Sequence, residues 1–121
     1  MNSKTFEFPS QKISEAFLEF SSPLLKTLPK PATKHDIDKI LRITYTIWNA
    51  VVFDKVFENT DYISEIRATF KHDKEGSSLI DYFITRKNEL FGDDLRIIGE
   101  YKIIMMDGNK WRLRADARDP S

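Results

Sequence analysis

The fold is decided by the stretch Thr33–Phe57, which reads TKHDIDKILRITYTIWNAVVFDKVF. Thr33 is a favourable N-cap residue, and the carboxylate of Asp36 three residues later favours a helix N-terminus. Through Ile40–Phe57 the apolar residues cover nearly the whole circumference of a helix, which is typical of a buried helix. Its many β-branched residues would favour a strand by themselves, but its length and N-terminal signals favour a helix. The sequence therefore predicts one continuous, buried helix at the centre of the fold.

The chain before this helix predicts another helix. Apolar residues recur at three- and four-residue steps over about Gln11–Leu28, with Ser10 as the cap. Pro23 either kinks this helix or splits it, with Ser22 capping a second short helix. Pro29 and Pro31 then form a short connector, because a helix cannot run through them.

Two further helices are predicted after the central one. The third spans about Asp61–Lys71 and is capped by Asn59 or Thr60, with Tyr62, Ile63, Ile66 and Phe70 on its inner face. A polar turn follows over 72–77. The fourth helix spans Leu79–Phe91 and is capped by Ser77 or Ser78, with Leu90 among its inward residues.

After Asp94 the period of the pattern changes from about 3.6 to 2, which indicates strands over Leu95–Met106 and Asn109–Arg118. A two-residue Asp107-Gly108 loop is one way to join them. A three-residue loop, Met106-Asp107-Gly108, is favoured because Gly108 tolerates a left-handed conformation and the apolar residues then share one face. That register pairs Ile103 with Trp111, Tyr101 with Leu113, Gly99 with Ala115 and Ile97 with Ala117.

These elements together predict an α+β fold that is mainly α. We expect a four- to five-helix core over residues 10–92 around the central helix, and a C-terminal antiparallel hairpin over 95–118. Thr5–Phe8 is a candidate third strand, with Phe6 and Phe8 on one side, because a lone hairpin is marginally stable. The expected organisation is a single domain over residues 1–121.

Composition excludes several classes of protein. The 121 residues include 19 basic and 19 acidic side chains and no cysteine. Disulfides, thiolate zinc sites, Fe–S clusters and cysteine nucleophiles are therefore excluded. The longest near-apolar run, Ile47–Phe53, is far too short to span a membrane, and the N-terminus has no apolar signal region. We expect a cytoplasmic protein without a membrane partner.

Polar residues that could carry chemistry form no recognisable catalytic, metal or cofactor motif. His35 and His72 are expected to be exposed at helix ends. The acidic residues Asp54, Glu58, Asp61 and Glu65 are interpreted as a solvated face, and Asp93-Asp94 as turn residues that bind backbone amides. An enzyme is therefore the less favoured interpretation, and no cofactor is expected.

Asn49 is the most informative polar residue, because it lies midway along the helix predicted to be most buried. A buried amide without partners costs on the order of 1–3 kcal/mol. We therefore expect a structural hydrogen bond to a neighbouring helix or to the N-terminal segment. The alternative is an internal pocket that Asn49 lines together with Trp48, Tyr45 and Thr44.

The outer face of the hairpin carries the only local concentration of basic residues. In the predicted register this face shows the acidic residues Glu100 and Asp116 and the apolar residues Ile98, Ile104 and Met106. Its basic residues are Arg96, Lys102, Lys110, Arg112, Arg114 and Arg118. Its apolar residues are not the stacking aromatics of an RNA-binding sheet, which argues against nucleic acid. The candidate interaction surface consists of Arg112, Arg114, Lys110, Lys102 and Ile104, with Phe6 and Phe8 on the N-terminal segment.

The leading functional hypothesis is a small, non-catalytic protein–protein interaction domain, such as an adaptor, an inhibitor or an immunity-like protein. Its partner would be another protein or a second copy of the chain. The alternative is a small-ligand-binding protein or enzyme with a pocket around Asn49, Trp48 and Tyr45. A third hypothesis is nucleic-acid binding through the basic hairpin face.

Overall fold

The computed structural model describes residues 11–120, which form four α-helices followed by a β-hairpin. The elements are α1 (Ile13–Leu25), α2 (Lys34–Val56), α3 (Asp61–Thr69), α4 (Lys74–Leu90), β1 (Ile97–Met106) and β2 (Lys110–Arg118). A short 3-10 turn over Asp107–Asn109 joins the two strands. The fold is α+β and mainly α, as the sequence predicts.

Helix α2 is the centre of the fold and packs against α1, α3, α4 and β1. Thr33 caps it as predicted, because its hydroxyl accepts a hydrogen bond from the backbone N–H of Asp36 at 3.1 Å. Trp48 is 0 % exposed. The prediction of burial all round is wrong for one part of the surface, where Ile43 is 38 % and Phe57 is 49 % exposed.

Helix α1 runs through Pro23 and ends two residues later, so the chain does not split there. Proline has no N–H to donate to the carbonyl four residues earlier, which is that of Glu19. The hydroxyl of Ser22 and a guanidinium nitrogen of Arg86 in α4 both donate to this carbonyl, each at 2.8 Å. Ser22 and α4 together therefore satisfy the carbonyl oxygen that proline leaves without its helical partner. The predicted cap, Ser10, lies outside the described residues.

Helix α3 begins as predicted, but the side chain that caps its N-terminus belongs to α2. The carboxylate of Asp54 accepts hydrogen bonds from the N–H groups of Tyr62 and Ile63, at 3.1 and 2.9 Å. Asn59 contributes a further bond to the N–H of Asp61. Asp54 is consequently buried, which corrects its assignment to a solvated acidic face.

Helix α4 begins five residues earlier than predicted, at Lys74. Asp73 is its N-cap, since its carboxylate accepts a hydrogen bond from the N–H of Gly76 at 3.0 Å. The predicted polar turn is therefore mostly the first turn of the helix, and Ser77 lies inside it. Leu90 is 62 % exposed, so its predicted inward position is also wrong.

The core is one cluster of apolar residues that joins all of the helices except α3 with both strands. Its aromatic centre is Phe20, whose ring makes edge contacts with Trp48, Phe83 and Phe91 at centroid distances of 5.3 to 5.9 Å. Such pairs contribute about 0.5–1.5 kcal/mol each beyond their burial.

The hairpin has a three-residue loop, but the loop is Asp107–Asn109 and not the predicted Met106–Gly108. Gly108 adopts the expected left-handed conformation with φ 76°, and Asn109 adopts one as well, with φ 61°. Asparagine tolerates this region, so the three-residue loop lies one residue further along the chain and Met106 pairs with Lys110. Near the loop the pairing is therefore displaced by two residues, with Ile103 opposite Leu113 and Met105 opposite Trp111.

A displacement of two residues keeps each side chain near the loop on its predicted face, but a bulge changes the faces further along. Gly99 and Glu100 together lie opposite Asp116. Ile98 consequently points inward and is 1 % exposed, and Arg96 is buried as well. Their predicted place on the outer face is wrong. Within residues 11–120 the sheet has two strands, and the candidate third strand, Thr5–Phe8, lies outside the described residues.

Candidate interaction surface

The outer face of the hairpin brings together the basic residues expected there. We define the basic face as Lys102, Ile104 and Met106 of β1 with Lys110, Arg112 and Arg114 of β2. The four basic side chains and Met106 are exposed, and Ile104 between them is partly buried. Four cationic side chains therefore surround a small aliphatic centre.

The charges of the basic face are not neutralised within residues 11–120, where none of its four cationic side chains forms a salt bridge. Lys102 lies directly opposite Arg114. Like charges in cross-strand positions are destabilising, commonly by a few tenths of a kcal/mol. The arrangement therefore costs the isolated chain some stability and leaves a local positive potential.

The far end of the same face is acidic but is engaged internally. At the bulge, the carboxylate of Asp116 accepts a hydrogen bond from the N–H of Glu100 and forms an ion pair with Arg118 at 3.3 Å. The hydrogen bond from Glu100, followed by that from Arg118, lowers the pKa of Asp116. This carboxylate holds the bulge and does not neutralise the basic residues near the loop.

The hairpin is held on the helices by hydrogen bonds from α2. The side-chain amide of Asn49 donates to the carbonyl of Ile98 at 2.9 Å and accepts from its N–H at 2.8 Å. These are the two groups that a neighbouring strand would use. Trp48 donates from its indole N–H to the carbonyl of Arg96 at 2.8 Å. Asn49 therefore has the hydrogen-bond partner that the sequence predicts it needs, but the partner is strand β1, and the expectation of a helix or the N-terminal segment is wrong.

A third attachment lies nearer the loop. The hydroxyl of Tyr101 donates to the carboxylate of Asp38 at 2.9 Å, and Arg42 donates to the other oxygen at 2.9 Å. The bond from Arg42 lowers the pKa of Asp38, whereas burial raises the pKa of Tyr101. Polar contacts as well as packing thus fix the inner face of the hairpin to the helices. The outer face therefore has a fixed orientation relative to α2.

The four residues proposed to share a pocket are separated in the structure. Trp48 and Thr44 are fully buried in the core, where the Thr44 hydroxyl lies 2.7 Å from that of Ser21. Tyr45 and Asn49 instead line an open groove of about 420 Å³ between α2 and α3. The other lining residues are Thr46, Ala50, Phe53, Tyr62, Glu65, Ile66 and Thr69.

The start of the hairpin contains buried charges that the sequence does not predict. Arg96 forms a two-pronged ion pair with Asp94, at 2.9 and 2.7 Å, and both side chains are buried. Lys87 is 1 % exposed and donates to the carbonyls of Phe91 and Asp94, at 2.6 and 2.8 Å. The predicted role of Asp94 as a turn residue is also present, because it accepts from the N–H of Arg96.

The remaining candidates from the sequence stay apart. His35 and His72 are exposed, as expected. Residues 11–120 contain no cluster of three or more His, Asp or Glu side chains arranged to hold a metal ion. Phe6 and Phe8 lie outside the described residues. No helix in the described part of the chain combines the length and the apolar character needed to cross a membrane.

Comparisons with protein-family models, with curated proteins and with solved structures found no match to this chain.

Proposed function

We propose that this chain is a protein-interaction domain that binds an acidic protein surface through the basic face of its hairpin. The observation that carries the proposal is the group of four exposed cationic side chains that have no salt-bridge partner within residues 11–120. An acidic partner would remove the repulsion between Lys102 and Arg114, and it would supply bidentate acceptors for Arg112 and Arg114. A cytoplasmic location, expected from the sequence, is part of this proposal, and cell fractionation checks it.

The aliphatic centre of the basic face favours a protein over a nucleic acid as the partner. Ile104 and Met106 offer apolar contact area, while the two aromatic residues in the same part of the hairpin, Tyr101 and Trp111, occupy inward positions. Single-stranded nucleic acids are held largely by stacking on exposed aromatic rings. A protein surface with carboxylates around apolar side chains matches the basic face better.

The proposal is tested with a synthetic peptide of glutamate and leucine, whose binding is measured by fluorescence anisotropy at low and high salt. The wild-type chain should bind it, and Arg112→Glu/Arg114→Glu should weaken binding by about tenfold or more. The control Lys34→Glu/Lys39→Glu makes the same change in charge at exposed sites on α2 and should bind as the wild type does.

Folding of the arginine variant is checked by circular dichroism, since both arginines are exposed and their replacement should leave the fold intact. Equal binding by the wild type and the arginine variant would overturn the proposal. Tighter, arginine-dependent binding of duplex DNA than of the peptide would overturn it in favour of a nucleic-acid ligand.

A further inference from the structure

The groove between α2 and α3 is a second surface with a pronounced chemical character. Helix α3 has no buried residue, and Tyr62 on it is 45 % exposed. The ring of Phe53 stacks with that of Tyr62 at a centroid distance of 5.1 Å and with that of Phe57 at 6.1 Å. An open row of aromatic rings therefore lies along one side of the helix pair.

The charge next to this aromatic row is negative. Glu65 lines the groove, and no basic side chain from the part of the chain that the structure describes does so. Asp61 lies one turn before Glu65 on the same face of α3, and Glu58 is exposed in the preceding turn. Within residues 11–120 none of these three carboxylates forms a salt bridge. We define the acidic groove as Phe53, Tyr62, Ile66 and Glu65, which line it, together with Asp61, which lies one turn before Glu65 on α3.

The basic face and the acidic groove are complementary. One offers guanidinium and ammonium groups around an aliphatic centre, and the other offers carboxylates beside aromatic rings and Ile66. An arginine can form a bidentate pair with a carboxylate and can lie over an aromatic ring, so Arg112 and Arg114 match both components of the groove. No residue belongs to both surfaces, so one copy can present its hairpin to the groove of another.

We propose that the acidic surface bound by the basic face is the acidic groove of a second copy of this chain. This inference rests on the proposed function and names its partner. The contact joins two different surfaces, so a dimer leaves one basic face free on one copy and one acidic groove free on the other, and these can engage further copies or close on each other. Because the contact is between charges, association should weaken with salt.

Sedimentation velocity tests the inference with two variants that each remove one surface. The hairpin variant is Arg112→Glu/Arg114→Glu, and the groove variant is Tyr62→Ser/Glu65→Lys, all four positions being exposed. The wild type should sediment above the monomer at concentrations of about 100 µM and low salt, and as a monomer at about 0.5 M salt. Each variant alone should remain monomeric, and Lys34→Glu/Lys39→Glu should behave as the wild type does.

The decisive sample is a one-to-one mixture of the two variants. The hairpin variant keeps an intact groove and the groove variant keeps an intact hairpin, so the mixture should form dimers although neither component associates alone. A monomeric wild type, or a mixture that stays monomeric, would overturn the inference. If the hairpin variant also retains peptide binding, the proposed function fails as well. If it loses peptide binding while the mixture stays monomeric, only the identity of the partner is wrong.

Discussion

The side chain of Asn49 makes the two hydrogen bonds that a neighbouring strand would make to β1. Its amide satisfies both the N–H and the C=O of Ile98, at the point where β1 enters the bulge. The position on the helix is only partly exposed, so water does not readily replace these bonds. Asn49 therefore sets how the hairpin sits on α2.

Replacing Asn49 tests this role. Asn49→Leu keeps a similar bulk but leaves two backbone groups of Ile98 without their partner, which should cost about 1–3 kcal/mol of unfolding free energy. Urea denaturation measures the cost, and amide exchange of Ile98 should accelerate. Thr46→Val, on the same exposed side of α2, is the control and should change stability by less than about 0.5 kcal/mol. Unchanged exchange at Ile98 in the leucine variant would contradict the role.

Lys87 makes stability depend on pH. Burial lowers the pKa of its ammonium group from 10.5 to about 8 in the folded protein. Between these values the unfolded chain binds more protons than the folded one, so unfolding free energy should rise with pH, by on the order of 3 kcal/mol in all. Lys87→Met removes this titration. The unfolding free energy of both proteins is followed by urea denaturation from pH 7 upward. The unfolding free energy of the wild type minus that of the variant should increase above about pH 8. A difference that stays constant with pH would exclude the lowered pKa.

The contrast between Asn49 and Lys87 shows what residue patterns can predict. An amide in the middle of an apolar helix indicates a hydrogen-bond partner by itself, because a buried amide that lacks one is costly. Lys87 lies in a helix of mixed composition, where a lysine is normally solvated. Its burial depends on the loop over 91–94 folding back onto the end of α4, so it follows from tertiary structure and not from the local pattern.

At the scale of the elements, the sequence predicts the presence of each helix better than it predicts the residue at which the helix begins. Thr33 is recognisable as a cap because a long apolar pattern follows it directly. Asp73 is not, because the first turn that it begins is polar and the apolar pattern starts only at Leu79. Asp54 cannot be recognised from the sequence, since it caps a helix other than its own.

The observed N-cap of α4, Asp73, can be compared with the predicted one, Ser77, by the stability that each contributes. Asp73→Ala should destabilise the protein by about 1 kcal/mol, because it removes the acceptor of the Gly76 N–H and a favourable charge at the helix N-terminus. Ser77→Ala removes only a long bond of 3.3 Å to the carbonyl of Phe70 and should cost less. Thermal unfolding of both variants decides between them. A larger loss of stability for Ser77→Ala would contradict Asp73 as the N-cap and would indicate that Ser77 caps the helix, as expected from the sequence.

The hairpin shows a second limit at this scale. The change of period predicts both strands, and Gly108 predicts the three-residue loop, yet the pairing is displaced by two residues and interrupted by a bulge. Alternation of side chains distinguishes a shift of one residue but not of two, since a two-residue shift keeps the faces. The bulge depends on Asp116 binding the N–H of Glu100, a contact that no local pattern indicates.

At the scale of the whole molecule, the equal numbers of acidic and basic residues conceal an uneven distribution. Cationic side chains concentrate on the basic face, and carboxylates lie beside the aromatic row of α2 and α3. The composition alone favours no charged partner, whereas the distribution favours an acidic one. The sequence pattern identifies the basic face, because that face lies on one hairpin. It does not identify the acidic groove, because that surface is made by two helices whose packing angle is not local information.

The proposed function depends on where an acidic partner binds, and NMR chemical-shift mapping measures this directly. An isotope-labelled wild-type chain is titrated with the peptide of glutamate and leucine, and backbone amide shifts are followed. We expect the largest changes over 102–106 and 110–114, with small changes in α1 and α4. Largest changes outside the hairpin, with the amides of Lys102, Arg112 and Arg114 unaffected, would contradict the proposal that the basic face is the binding surface.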